Sequence, residues 1–158
     1  MPKITVRADG DYRQYVDPRR LREAALKTLA HENISGRAGL TIAVTGDDEI
    51  RALNRKYRGV DAPTDVLAFG EGAADARFAA APGEPAYLGD VIISYPRAEA
   101  QAYSGPHPVT DELLLLVVHG VLHLVGHDHA KPDEKHKMWA AQAHVLRELG
   151  AQVKLGRR

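Results

Sequence analysis

The chain has 158 residues, enough for one domain with its own hydrophobic core, and we expect residues 1–158 to form a single domain. Its 21 basic and 21 acidic residues give a formal net charge of zero, so any polyanion would have to be bound by a local basic patch. The absence of cysteine excludes disulfides and thiolate metal sites. Because no signal-peptide region and no membrane-length apolar run is present, we expect a cytoplasmic protein without membrane contacts.

Hydrophobic periodicity predicts four strands and five helices. The predicted strands are residues 4–8, 40–45, 64–69 and 88–94, and the predicted helices are 18–33, 48–56, 96–104, a segment starting at 110, and 132–149. Residues 70–85 are rich in Gly, Ala and Pro, without a clear period, and predict a surface loop. This order indicates an α+β fold with α/β-type layers, in which one four-stranded mixed sheet packs with about five helices.

Two of the predicted helices matter most for the core. The helix starting at residue 110 is the most apolar, and we expect it to be central and to carry the candidate site. In the last helix, the spacing predicts an inner face that consists of Met138, Trp139, Ala143 and Leu146.

Four of the eight histidines lie between residues 119 and 129. His119 and His123 are spaced i, i+4, which places both imidazoles on one face of a helix, one turn apart. Gly126 predicts the left-handed turn that ends a helix and returns the chain toward it. That turn could supply a third ligand from His127, Asp128 or His129. Three protein ligands with one open position are typical of a catalytic zinc site.

The apolar surroundings of the histidine pair favour a metal site over a coincidence of spacing. The pair follows the run of leucine and valine at 113–118, and a buried polar group without a partner costs about 1–3 kcal/mol. A bound ion would satisfy both imidazoles. Histidine and carboxylate ligands favour zinc, and leave manganese, iron, cobalt and nickel open.

The spacing of His119, His123 and His129 matches the extended zinc-protease motif with one difference. Gly120 stands where those proteases carry the glutamate that acts as general base, which argues against a peptidase. Glycine inside a helix costs about 0.5–1 kcal/mol relative to alanine. We therefore expect the missing side chain to serve either close packing against a strand or space for a substrate.

Four segments, in the right order, resemble motifs of the YbeY-type endoribonucleases. They are LNRKYR at 53–58, DAPTDVLAF at 61–69, LGDVIIS at 88–94 and HGVLHLVGHDH at 119–129. The chain departs from the family pattern at three positions, where Ala68 replaces serine, Gly70 replaces proline and His127 replaces tyrosine. The first change removes a hydroxyl beside the site, and the third adds an imidazole that competes with the expected ligand.

The resemblance implies a metal-dependent endoribonuclease that cleaves single-stranded RNA. It implies a role in ribosomal RNA maturation at the 3′ end of the small-subunit RNA and in ribosome quality control, with the ribosome or ribosomal proteins as partners. It also implies His119, His123 and His129 as the metal ligands and Arg58 as the cationic residue of the cleft. A metal-dependent hydrolase of another class, such as a peptidase, and a non-catalytic ribosome-associated binding module remain alternatives, and the oligomeric state stays open.

Two residues are candidates for direct roles in catalysis. Arg58 precedes a glycine at the end of a basic helix, where its guanidinium could bind a phosphate through two hydrogen bonds, although a solvated basic face is the simpler alternative. Asp128 lies between ligand candidates and could orient a histidine or accept a proton. Attack by the 2′-hydroxyl of the RNA itself would remove the need for a protein base.

Overall fold

A computed structural model describes residues 2–34, 36–70 and 86–153. The described residues form four strands and five α-helices in the predicted order. The strands are β1 (Lys3–Ala8), β2 (Gly39–Thr45), β3 (Val66–Gly70) and β4 (Tyr87–Ser94), and the helices are α1 (Pro18–His31), α2 (Asp47–Arg58), α3 (Tyr95–Ser104), α4 (Val109–Leu124) and α5 (Pro132–Leu149). The predicted α+β fold is confirmed. Gly70 ends β3, and the rest of the predicted loop, residues 71–85, lies outside the described residues.

The four strands form one mixed sheet in the order β1-β2-β4-β3. The β1–β2 and β2–β4 pairs are parallel, whereas β3 runs antiparallel to β4 along one edge of the sheet. The register of β2 against β4 shifts by one residue before Gly89, which has a φ of +137°. A Cβ atom on Gly89 would lie 2.1 Å from the carbonyl oxygen of Phe69, so only glycine fits where β3 meets this bulge.

Helix α4 occupies the centre of the core. It packs against helices α1, α3 and α5 and against strands β3 and β4, and every residue from Glu112 to Leu122 is buried. Acidic side chains in its first turn suit the positive end of the helix dipole. None of the helices in the described ranges combines the length and apolar character that a membrane crossing needs.

The buried face of α5 differs from the predicted one. It consists of Met138, Ala141, Gln142, Val145, Leu146 and Leu149. The predicted inner residues Trp139 and Ala143 are only half-buried, because the helix is rotated so that the stripe beginning at Met138 continues through Gln142. This rotation brings a polar side chain into the core beside α4.

Candidate metal centre

The C-terminus of α4 ends in a turn that returns the chain to the helix. The backbone N–H of Gly126 donates to the carbonyl of His123 at 3.1 Å, and that of His127 donates to the carbonyl of Leu122 at 2.9 Å. These two hydrogen bonds form a Schellman motif, and Gly126 has the positive φ, 108°, that the motif requires at this position. The predicted glycine turn is confirmed, and it brings residues 128 and 129 back beside the last turn of the helix.

Three imidazoles meet at this turn. The Nε2 atoms of His119 and His123 are 3.2 Å apart, and the ring of His129 lies 5.7 Å from that of His119 and 5.2 Å from that of His123, measured between centroids. One ring nitrogen from each residue lies within 4.8 Å of the other two. Nitrogen ligands of a tetrahedral zinc ion, at their usual bond lengths, are about 3.3 Å apart. The three donors therefore fit a transition-metal ion with only small side-chain adjustments.

Gln142 on α5 orients the buried member of this cluster. Its side-chain oxygen Oε1 lies 2.6 Å from Nδ1 of His119, which is only 7% exposed. Because an amide oxygen only accepts hydrogen bonds, Nδ1 must carry the proton, and the lone pair on Nε2 points toward His123. A hydrogen bond of this kind is the usual support for a metal-binding histidine.

Burial lowers the pKa of the His123 imidazole below its ordinary value. The neighbouring His129 and, more weakly, the positive charge of Arg58 lower this pKa further, while Asp128 and a hydrogen bond with the backbone of His127 act in the opposite direction. The net effect favours neutral His123 near pH 7, and the neutral imidazole is the form that binds a metal ion.

The structure separates the three candidates for the third ligand. His127 lies with its Nε2 atom 2.6 Å from the carboxylate of Glu32, which follows α1, and so points away from the cluster. Asp128 accepts a hydrogen bond from the backbone N–H of His129 at 2.7 Å and thereby holds the next residue in position. Of the three, only His129 has its side chain in the cluster with His119 and His123.

A cavity of about 360 Å³ opens beside the three histidines. Both predicted catalytic residues, Arg58 and Asp128, line it. Its other wall is formed by the segment that leads into β3, with the side chains of Thr64, Asp65, Val66 and Ala68. One arginine, two aspartates and three histidines therefore line one small space.

Arg58 is positioned by the end of α2. The helix terminates at Gly59, whose φ is +72° and whose N–H donates to the carbonyl of Arg55 at 3.2 Å. The buried Asn54 side chain then donates to the carbonyl of Ala62 at 2.9 Å, which ties the following loop to the helix. These bonds set the direction in which Arg58 leaves the helix beside the cavity.

The contacts around Gly120 bear on the two explanations for a glycine in the helix. A Cβ atom on Gly120 would lie 2.5 Å from Cγ1 and 3.0 Å from Cγ2 of Val91, a fully buried residue of β4. Carbon atoms in contact prefer separations of about 3.5–4.0 Å. Close packing of α4 on the sheet therefore requires this glycine, which also lines the cavity beside the histidines. The glutamate that a zinc protease would carry here has no room for its Cβ atom.

Two neighbours of the site were not among the predicted residues. Gln142 carried a weak signal, because it is a polar residue one turn beyond Met138 on an otherwise apolar stripe. Thr64 carried none, since a hydroxyl in a loop is common. Asp65 has an ordinary structural role, because its Oδ1 accepts a hydrogen bond from the N–H of Val66 at 2.8 Å and so begins β3.

A buried helix with two imidazoles and a turn that adds a third, beside a polar cavity on a small mixed-sheet domain, has the architecture of a metal-dependent hydrolase. Comparison with known proteins narrows this class. The family model described as endoribonuclease YbeY matches residues 9–150. The chain belongs to the YbeY endoribonuclease family.

Several curated relatives carry the same name, endoribonuclease YbeY. The protein from Roseiflexus sp. (strain RS-1) is 44% identical over 148 residues, covering 93% of this chain and 92% of the relative. The protein from Chloroflexus aurantiacus (strain ATCC 29366 / DSM 635 / J-10-fl) is 45% identical over 135 residues, covering 85% of this chain and 88% of the relative. The solution structure of TM1509 from Thermotoga maritima is similar in fold, with a TM-score of 0.60 and 26% identity, covering 92% of this chain and 88% of TM1509.

Proposed function

We propose that this protein is a zinc-dependent endoribonuclease that cleaves single-stranded RNA. The observation that carries the proposal is the convergence of three imidazoles and Arg58 on one cavity, in a chain whose relatives are named endoribonucleases. The proposed natural substrate is ribosomal RNA near the 3′ end of the small-subunit RNA. The proposed partners are the ribosome or its proteins, and the proposed site of action is the cytoplasm.

The proposed metal ligands are His119, His123 and His129. Zinc suits three neutral imidazoles in a chain without thiolates. When bound, such an ion supplies Lewis acidity, which polarises a phosphoryl oxygen or makes water a stronger nucleophile. Gln142 contributes by keeping the proton of His119 on Nδ1, so that Nε2 faces the other two histidines.

Arg58 is proposed to bind the phosphate that is cleaved. Its guanidinium can donate two parallel hydrogen bonds to phosphate oxygens and offset the charge that develops on them during displacement. Asp128 is proposed to act first as a positioning residue, because it accepts the N–H of His129. Since Asp128 also lines the cavity, it is proposed as a group that can accept a proton from an attacking hydroxyl.

The activity can be tested with end-labelled RNA of one sequence, presented as a single strand and as a duplex. We expect purified protein to cut the single strand, to lose activity after chelation, and to regain it with added zinc. A 2′,3′-cyclic phosphate on one product and a 5′-hydroxyl on the other would identify the RNA's own 2′-hydroxyl as the nucleophile, whereas a 3′-hydroxyl and a 5′-phosphate would indicate water.

Two histidine variants make the test specific to the site. His123→Ala removes a proposed ligand and should abolish cleavage and metal binding. His136→Ala removes an exposed imidazole of α5 that does not line the cavity, and should leave both unchanged. Equal activity of the two variants, each shown to be folded by circular dichroism, would exclude the proposed site.

A further inference from the structure

An aromatic pair with one exposed ring lies close to the cavity but outside it. The ring of Tyr57, at the end of α2, contacts the ring of Phe69 in β3, with centroids 5.2 Å apart and planes inclined by 55°. Tyr57 is 59% exposed, so its contact with Phe69 covers only part of the side chain. The ammonium group of Lys56 lies 5.1 Å from the centre of the Tyr57 ring. More than half of the Tyr57 side chain is thus presented to solvent, with a cation over its ring.

The position of this pair follows from its chain neighbours. Arg58, the residue after Tyr57, lines the cavity, and so does Ala68, the residue before Phe69. Consecutive Cα atoms are about 3.8 Å apart, and successive side chains of a strand point to opposite faces of the sheet. The aromatic pair and the cavity therefore lie on opposite sides of β3. Because β3 is an edge strand, a flexible chain leaving the cavity has only one strand edge to cross.

The chemistry of this surface favours a nucleic acid strand over an apolar protein segment. The last turn of α2 carries Arg55, Lys56 and Arg58, so cations border the exposed ring and continue to the cavity. Proteins that bind single-stranded nucleic acid combine aromatic rings, on which bases stack, with cations that follow the phosphates. An apolar segment of a protein partner would offer no negative charges to pair with these cations.

We propose that Tyr57, supported by Phe69, is a stacking platform for a base of the single-stranded RNA that neighbours the phosphate in the cavity. The inference rests on the proposed function and adds a positioning residue to it. Stacking needs an unpaired base, so the platform would also contribute to selection of single strands over duplexes. Tyr57 acts on binding of the flanking nucleotide, and takes no part in the chemical step.

The test measures KM and kcat for cleavage of a short naked single-stranded RNA, together with the Kd for an uncleaved analogue by fluorescence anisotropy. Tyr57→Ala should raise KM and Kd by about 5- to 150-fold, the range expected for loss of one stacked base. Tyr57→Phe keeps the ring and should restore binding. Tyr103→Ala removes a tyrosine of α3 that is 89% exposed and should change KM by less than about twofold.

A second set of substrates separates stacking from a structural effect. In each, one nucleotide is replaced by an abasic residue. At the position that stacks on Tyr57, the abasic substrate should bind wild-type protein and Tyr57→Ala equally, whereas elsewhere the difference should persist. A merely destabilised variant would show the same deficit on every substrate and a lowered melting temperature.

Each outcome bears on a different claim. If wild-type protein neither binds nor cuts RNA, the proposed function fails, and the platform fails with it. If wild-type protein cuts RNA and Tyr57→Ala cuts and binds it equally well, the platform is refuted while the endoribonuclease stands. A deficit that appears only when a ribosomal protein is added would assign this surface to a protein partner and would also overturn the inference.

Discussion

Replacing Gly120 by alanine tests whether α4 sits on the sheet as closely as the structure indicates. The added Cβ would lie 2.5 Å from Cγ1 of Val91, at least about 1 Å inside the preferred carbon–carbon separation. Val91 cannot turn away easily, because a β-branched side chain has few accessible rotamers and this one is fully buried. The helix must therefore move away from the strand.

The magnitude follows from two opposing terms. Overpacking of a well-packed core costs about 1–3 kcal/mol, whereas alanine improves on glycine in a helix by about 0.5–1 kcal/mol. We expect Gly120→Ala to lower the free energy of unfolding by about 1–2 kcal/mol. For a chain of this size, that corresponds to a melting temperature lower by about 2–8 °C.

A double-mutant cycle identifies the contact. Val91→Ala alone removes two buried methyl groups and should cost about 2–3 kcal/mol, because a cavity is left behind. In the double variant the new methyl of residue 120 occupies part of that cavity, so the two changes together should cost at least about 1 kcal/mol less than their sum. Urea denaturation of the metal-free proteins measures all four free energies.

Gly10→Ala is the matched control for the same chemical change. Gly10 lies in a turn, and nothing lies within 4 Å of the position that its Cβ would take, so stability should be unchanged or higher by up to about 1 kcal/mol. The reasoning is refuted if Gly120→Ala is as stable as the wild type, or if the two core substitutions are additive within about 0.5 kcal/mol.

The remaining predictions concern the site. Arg58→Ala should reduce RNA cleavage by at least about 100-fold with an unchanged melting temperature, whereas Arg147→Ala, which removes an exposed arginine of α5 outside the cavity, should leave cleavage unchanged; equal activities of the two variants would show that Arg58 is an ordinary surface residue. His129→Ala should weaken zinc binding by more than about 100-fold, while His127→Ala should leave it unchanged, as measured by competition with a chromophoric chelator. If His127→Ala weakens zinc binding and His129→Ala does not, the third ligand is His127. Gln142→Ala should weaken zinc binding by about 10- to 100-fold in the same assay, and unaltered affinity would show that the hydrogen bond to His119 is dispensable.

The parts of the site that are local in sequence could be predicted, and those that depend on packing could not. The histidine pair and the glycine turn lie within one helix end, so their geometry follows from helix periodicity and from the conformational preference of glycine. Gln142 lies 23 residues after His119, and its position depends on the rotation of α5 about its own axis. Trp139 and Ala143 were predicted inside because apolar residues bordering a stripe are hard to distinguish from its centre.

Strand boundaries show the same limit. The predicted strand at 64–69 begins at Val66 in the structure, because the Asp65 carboxylate accepts the N–H of Val66 and the chain bends at Asp65. The contact of Gly120 with Val91 joins residues from a helix and a strand, and only the depth at which α4 seats on the sheet reveals it. The sequence indicates only that residue 120 lacks a side chain, whereas the structure shows that this allows α4 to approach Val91.

The Schellman turn at the end of α4 separates metal loading from folding. Its two hydrogen bonds run between backbone groups, and the helix before it is held by apolar packing, so neither depends on an ion. In a zinc finger, by contrast, the binding energy of the metal is the folding energy. Here we expect chelation to abolish RNA cleavage without unfolding the protein. A cell would then hold a folded reserve whose working fraction rises and falls with the supply of free metal, with no new synthesis required.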